Sequence, residues 1–194
     1  MTLHTTFVIL VLVMLTVRVY FHVKASTWRK GTIHQRGKWR ALQLMIAIPL
    51  LAGFVTYLIR PEAVAWAELP LPGWLRWLGL ALAAIALALM TWVNKTLGKN
   101  FSTELRIRED HTLVTTGPYQ WVRHPMYSVF VLFLGGCFLL TANWFIGLVA
   151  AAGLGIVMIF RTPVEERMMV EAFGDVYRDY MRRTPRYWPR VLPG

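Results

Sequence analysis

Five stretches of this chain stay apolar for too long to belong to a water-soluble surface: Leu3–Val23, Leu42–Ile59, Leu75–Val93, Tyr127–Leu140 and Trp144–Phe160. An α-helix rises about 1.5 Å per residue, so about 20 apolar residues carry it across the hydrocarbon core of a bilayer. The chain is 56% hydrophobic over 194 residues, more than a soluble domain of that size hides without aggregating. The expected fold is therefore all-α: a polytopic transmembrane helical protein with about five spans in a single membrane domain, residues 1–194. The fourth run is short. Only Thr141, Ala142 and Asn143 part it from the fifth, so these two should form a tight antiparallel hairpin. The first run has no basic segment before it and no small-x-small cleavage site after it. Lys24, Arg29 and Lys30 follow instead, which favours a retained helix over a signal peptide.

The net charge is +11, and the position of the charges decides what they mean. They lie between and beside the apolar runs, where they face anionic headgroups and set orientation. Lys24, Arg29, Lys30, Arg36, Lys38 and Arg40 fill the first connection, and the second, from Arg60 to Gly73, is poor in cations. The third is basic again, with Lys95, Lys99, Arg106, Arg108 and Arg123. The tail carries Arg161, Arg167, Arg178, Arg182, Arg183, Arg186 and Arg190. Cytoplasmic loops hold the excess of Lys and Arg, so the N-terminus is expected outside and the tail in the cytoplasm. The connection Asn94–Pro125 and the tail Arg161–Gly194 then share one face and flank the last two spans, so they must meet. The chain is expected to be an integral, multi-pass membrane protein, with its C-terminus and active site cytoplasmic. Its partner is the lipid bilayer, with no nucleic acid, and it should work as a monomer. The lone cysteine, Cys137, sits in an apolar run and reads as a small buried side chain. His4, His22, His34, His111 and His124 form no HExxH and no close pair, so no metal is expected.

Three polar pieces lie on the expected cytoplasmic face. The first is His111-Thr112-Leu113-Val114-Thr115-Thr116-Gly117-Pro118-Tyr119, in which Leu113 to Thr115 is short and β-prone and Gly117-Pro118 marks a turn. Its unpaired backbone could hydrogen-bond an adenine edge or a ribose, or it could be an ordinary surface loop. The second, Val122-Arg123-His124-Pro125-Met126-Tyr127, sets proline at the first position of the fourth span and His124 at its N-cap. A carboxylate placed there is stabilised by free N–H groups and the positive helix end. Alternatively Tyr119, Trp121, Arg123 and Tyr127 are only an interfacial belt. The third is Arg161-Thr162-Pro163-Val164-Glu165-Glu166, whose charges at a span end are costly unless they face protein or water. Arg161 could fork onto a substrate carboxylate, and Glu165 could accept from an ammonium group. The same residues also spell a capping box, and Arg161 and Glu165 could simply pair at four-residue spacing. Val164 to Met181 is expected to be an amphipathic helix, broken by Pro185 and Pro189.

Taken together, Gly117-Pro118-Tyr119, Arg123-His124-Pro125-Met126-Tyr127, Glu165-Glu166 and Phe173-Gly174-Asp175-Val176-Tyr177-Arg178-Asp179-Tyr180 resemble the pattern of the isoprenylcysteine carboxyl methyltransferase family. The resemblance runs from His111 to Pro189. It implies S-adenosyl-L-methionine as cofactor, with residues 1–95 as N-terminal spans and 96–194 as the cofactor-binding catalytic region. It implies cofactor-binding roles for His111, Thr112, Leu113, Val114, Tyr119, His124, Pro125, Met126, Tyr127 and Glu165. Arg161 is implied on the side of a prenylated or lipid-like methyl acceptor, and Arg161 with Glu165 as the catalytic pair. The chain departs from the family at Phe101–Asp110, which is shorter than in the eukaryotic members, and at Ser128-Val129, where a glycine is usual.

Such a site implies in-line displacement at a sulfonium methyl by the carboxylate of a prenylated cysteine or a similar lipid-attached acceptor. A carboxylate is ionised at neutral pH, so no general base is needed; the protein positions the reactants and removes water. The alternative is a phospholipid, thiol or amine methyltransferase with the same cofactor pocket, although an amine or thiol would need a base. A sterol-reductase-like oxidoreductase would need a nicotinamide site, and no Rossmann fingerprint is present. A transporter or scaffold would carry polar residues in mid-span, and the span centres are nearly all apolar. The acceptor's lipid tail is expected to enter sideways from the bilayer and the cofactor from the cytoplasm.

Overall fold

The computed structural model describes residues 3–26, 32–33, 45, 48, 52–98, 106–107 and 112–190. Its helices are α1 (Leu3–Ser26), α2 (52–59), α3 (Gly73–Leu97), α4 (Pro125–Thr141), α5 (Trp144–Phe173) and α6 (Asp175–Arg183). Short 3-10 turns occupy Pro61–Ala67 and Gly117–Gln120. The one exception to an all-helical fold among the described residues is a two-residue antiparallel pair. In it β1 (Thr32–Ile33) lies against β2 (Arg106–Ile107), joining the first and third connections. Leu113 to Thr115, β-prone by sequence, forms no strand.

Among the described residues α1, α3 and α5 are long and apolar enough to cross a membrane, and α4 is a shorter apolar helix. The 17 residues of α4 reach about 26 Å, near the lower limit for a span. Most of the expected second span, Leu42–Ile59, lies outside the described residues; positions 45, 48 and 52–59 are helical. Apolar side chains such as Leu12, Val19, Ile85, Leu148 and Ile159 face outward and exposed, as lipid-facing positions do. Exposed Trp66, Trp74, Trp77 and Trp144 gather near the α4–α5 turn, and Trp92, Trp121 and Trp188 near the opposite end. Two aromatic girdles of this kind mark the two membrane–water interfaces.

The core is built on close contact between α3 and α4. A Cβ added to Gly79 would lie 2.6 Å from the Gly136 carbonyl, and one added to Gly136 2.7 Å from the Ala83 nitrogen. Only glycine allows backbones this near, and small-residue contacts are how membrane helices gain dispersion energy without a hydrophobic drive. Ala83, Ala86, Met90, Phe133, Cys137 and Leu140 surround this contact, fully buried. From α1, Phe7 meets Tyr57 edge to face at 5.0 Å between centroids.

The α4–α5 turn is as tight as the sequence implied. Ala142 takes a left-handed conformation at φ 51°. Asn143 caps α5 by accepting from the Ile146 N–H at 3.1 Å, and it donates to the Val64 carbonyl at 2.8 Å.

Helix α5 corrects two expectations. It does not stop at Phe160 but runs through Arg161-Thr162-Pro163 to Phe173, so Thr162-Pro163-Val164-Glu165 is not a capping box. Nor is Val164 to Met181 one helix. The chain breaks at Gly174, whose φ of 54° suits glycine, and α6 restarts at Asp175. An internal proline removes one helical N–H and crowds the carbonyl four residues earlier. Tyr187 of the tail packs on this turn, with its hydroxyl 2.8 Å from Thr162 Oγ1 and 3.4 Å from the Met158 carbonyl.

Candidate active site

Pro125 opens α4 and puts His124 at its N-cap, as its place in the sequence implied. The tail then runs alongside. The Arg123 N–H donates to the Pro185 carbonyl and the His124 N–H to the Arg186 carbonyl, both at 2.9 Å. The Tyr180 hydroxyl donates to the Tyr119 carbonyl at 2.5 Å, and Ser128 Oγ donates to the Tyr187 carbonyl. Connection and tail therefore meet, as their shared charge pattern requires. Burial pushes the Tyr180 phenol up to about 12 and raises Tyr119 well above its ordinary value, so both stay neutral.

At the centre of this junction is Glu166, to which the sequence reading gave no role. It is 4% exposed and fully used. One oxygen accepts from Arg123 at 2.7 and 3.0 Å and lies 3.3 Å from His124 Nε2. The other accepts from Arg186 Nη2 at 2.7 Å. Arg123 also donates to the carbonyls of Met181, at 2.9 Å, and Thr184. These bonds hold Arg186 above its usual pKa, so one carboxylate ties the N-cap of α4 to the tail. The sequence signal was the second glutamate of Glu165-Glu166. Consecutive helix positions point about 100° apart, so the pair cannot share one task.

Beside the junction lies a cavity of about 280 Å³ whose wall carries both charged and apolar side chains. Tyr119, His124, Met126, Tyr127, Arg161 and Glu165 all line it, with Arg18, Leu97, Arg123, Phe130 and Val157 completing the wall. Arg161 Nε donates to Glu165 Oε1 at 2.6 Å, so these two pair at four-residue spacing, and they do so in the cavity wall. The other Glu165 oxygen is 3.4 Å from the Tyr127 hydroxyl and 3.6 Å from His124 Nδ1. Pro125 is buried beneath the site as the first residue of α4 and does not line the cavity. Thr112, Leu113 and Val114 do not line it either; Val114 packs on the main core. His111 lies outside the described residues.

A second cavity, about 640 Å³ and almost wholly apolar, runs between α4 and α5, with walls from Val131, Leu134, Phe138, Leu148, Leu154 and Met158. Gly135 and Gly155 leave it open, since a Cβ on either would meet nothing within 4 Å. The two cavities share no lining residue; on α5 the consecutive residues Val157 and Met158 line one each.

Residues 77–171 match the model of the isoprenylcysteine carboxyl methyltransferase (ICMT) family. The protein-S-isoprenylcysteine O-methyltransferase B of Arabidopsis thaliana is 30% identical over 165 residues, covering 82% of this chain and 83% of the plant protein. The chain belongs to the isoprenylcysteine carboxyl methyltransferase family. The Mus musculus protein-S-isoprenylcysteine O-methyltransferase is 32% identical over 132 residues, 67% of this chain and 47% of the mouse protein. The chain thus spans about half the length of the rodent relatives it matches. The solved structure of the eukaryotic intramembrane Ras methyltransferase ICMT has the same fold, with a TM-score of 0.58 and 23% identity, covering 81% of this chain and 55% of that one. The family match begins inside α3, well before His111, so the packed α3–α4 pair belongs to it as much as the polar pieces do.

The polar groups present suit the methyl donor that this family implies. S-adenosylmethionine carries a carboxylate, an ammonium group and a polar base, and the cavity offers a helix N-terminus, a carboxylate and aromatic walls. One further group is near. Asn94 of α3 is 1% exposed, and neither atom of its amide has a partner among the described residues. It lies one turn before Leu97, which lines the cavity. A buried amide without partners costs about 1–3 kcal/mol, a cost a polar ligand can offset.

Proposed function

We propose that this chain is an S-adenosyl-L-methionine-dependent methyltransferase that methylates the carboxylate of a prenylated cysteine or a similar lipid-attached acceptor. The observation that carries the reading is the presence, along the same pair of helices α4 and α5, of one cavity set with charged side chains and a second that is almost wholly apolar. One ligand is water-soluble and charged, the other is half lipid, and the two cavities divide in that way. The donor supplies an electrophilic methyl group on sulfonium sulfur. His124 and the Met126 N–H in the first turn of α4 take a carboxylate; Glu165 takes an ammonium group; Tyr119 flanks the base.

Arg161 holds the acceptor carboxylate and is itself oriented by Glu165, so one glutamate aligns both partners. A carboxylate needs no deprotonation at neutral pH, so the residues contribute alignment and exclusion of water rather than a base. A prenyl chain costs about 0.8 kcal/mol per methylene-sized group to expose to water, and the groove between α4 and α5 keeps it dry.

The same reading places the working chain in the membrane as a monomer, one domain of five spans. Its first 95 residues support the catalytic 96–194, with the N-terminus outside and the C-terminus cytoplasmic. The basic connections and the two tryptophan girdles support that topology. The test is equilibrium binding of labelled S-adenosylmethionine and its demethylated product to the detergent-solubilised full chain, with and without EDTA. Both ligands should bind equally well with chelator present. No binding, or binding abolished by EDTA, contradicts the proposal.

A further inference from the structure

Charge does not balance around the polar cavity. Its lining carries three guanidiniums, Arg18, Arg123 and Arg161, against one carboxylate, Glu165. Arg161 is paired with Glu165 at 2.6 Å, and Arg123 is paired with Glu166 behind the wall at 2.7 Å. Arg18 is the surplus cation. It belongs to α1, the N-terminal span, and among the described residues it makes no hydrogen bond or ion pair. It rests instead over the Phe130 ring, 5.3 Å from the centroid. A cation held inside a span without a counter-charge is expensive, and such residues face protein or water and mark a ligand path.

We infer that Arg18 is the second half of an anion receptor, and that with Arg161 it binds the carboxylate or phosphate headgroup of the membrane-borne acceptor. Depth assigns it to the acceptor rather than to the methyl donor. Arg18 lies eight residues before the end of α1 at Ser26, or about 12 Å at helical rise. Phe130, on which it rests, lies six residues beyond His124, or about 9 Å into α4. Both helices put this guanidinium below the N-cap, in the part of the cavity nearest the bilayer interior. A free anion in water has no reason to be met there, whereas an anion attached to a prenyl or acyl chain does. The two guanidiniums come from different helices, so a headgroup between them also fixes α1 against α5. This gives the N-terminal span a part in substrate choice. Only the identity of the acceptor rests on the methyl-transfer reading; anion selectivity at this depth does not.

The experiment measures direct binding to the full chain in micelles by thermophoresis, without turnover. The probes are N-acetyl-S-farnesylcysteine, its neutral methyl ester, farnesyl monophosphate and S-adenosylmethionine. Wild type should prefer the acid over its ester. Arg18→Met, which removes a charge with no partner among the described residues and keeps apolar bulk over Phe130, should lower that preference about tenfold, the loss of one charge-assisted contact. S-adenosylmethionine affinity should stay within about twofold, since the donor's partners are elsewhere. Arg18→Lys should restore part of the preference. The melting temperature of Arg18→Met should be equal to or above that of wild type, which a merely structural arginine would not allow. Relative affinity for farnesyl monophosphate and the acid separates a phosphate from a carboxylate headgroup. The inference is overturned if wild type shows no anion preference. It is also overturned if Arg18→Met keeps that preference, or loses it together with donor binding and thermal stability. A wild type that prefers the acid yet never methylates it leaves Arg18 standing and removes the methyl-transfer reading. Methylation unaffected by Arg18→Met does the reverse.

Discussion

Glu165 and Glu166 are neighbours in the chain, but their carboxylates turn to different partners. Glu165 faces the cavity with Arg161, while Glu166 is buried among Arg123, His124 and Arg186. Removing one partner from a buried ion network leaves the others charged and unsatisfied, at a cost of about 3–5 kcal/mol. Glu166→Gln should therefore lower the melting temperature of the solubilised protein by several degrees and free the tail to early proteolysis near Pro185. An unchanged melt would show that the network contributes no stability. Arg161→Ala should instead act on the acceptor. The loss of a charge-assisted contact is worth about 2 kcal/mol, or roughly a 30-fold rise in KM. Donor affinity should fall less, because Glu165 remains in place. Equal losses would assign Arg161 to the donor. The sequence made Arg161, Glu165 and His124 visible because each sits beside a proline or at the end of an apolar run. Glu166, Arg186 and Arg18 were harder to see. The first two are joined only through the fold, across a break at Gly174 that separates them in the chain. Arg18 is one charge in an otherwise apolar helix, easily passed over when a whole span is averaged.

At the scale of elements, helix positions followed from apolar runs, but two ends did not. Threonine and proline at 162–163 look like a helix start, yet they lie inside α5, where the tail packs Tyr187 against that turn. This is tertiary structure overriding a local signal. The segment 112–116 has strand-forming residues but forms no ladder, and propensity alone does not hold a strand. The α3–α4 contact was not legible, since the sequence does not say which helices touch. It makes a sharp prediction. Gly136→Val would push branched carbons into Ala83 backbone atoms 2.7 Å from the Cβ position, and overpacking of this kind costs about 1–3 kcal/mol or more. The yield of monodisperse protein should drop. Gly155→Ala, placed in open space, should leave it unchanged and serves as the control. Equal yields for both would mean that the helices can part without cost.

For the whole molecule, the division between a wet cavity and a dry groove predicts that the two ligands can be perturbed separately. Gly155→Trp would project an indole into the groove from a position where an added Cβ meets nothing within 4 Å, so the backbone there should accept it. It should raise KM for a farnesylated acceptor several-fold and leave S-adenosylmethionine affinity unchanged. A parallel loss of both would mean that the groove and the cavity are one site. That the connection and the tail share one face was legible from the basic connections, and their meeting followed from it. Separate entries for the two ligands were expected from the sequence, but which residues line each cavity was not legible, because that depends on which faces of α4 and α5 turn outward.

The reaction itself is tested most directly by the chemistry of its product. The full chain is reconstituted in lipid vesicles with N-acetyl-S-farnesylcysteine and methyl-labelled S-adenosylmethionine, and the recovered lipid is treated with alkali. Transfer to a carboxylate oxygen makes an ester, so the label should be released as methanol, and Arg161→Ala should suppress its formation. Label that survives alkali, as it would on nitrogen or sulfur, or no transfer at all, would contradict carboxyl methylation by this chain.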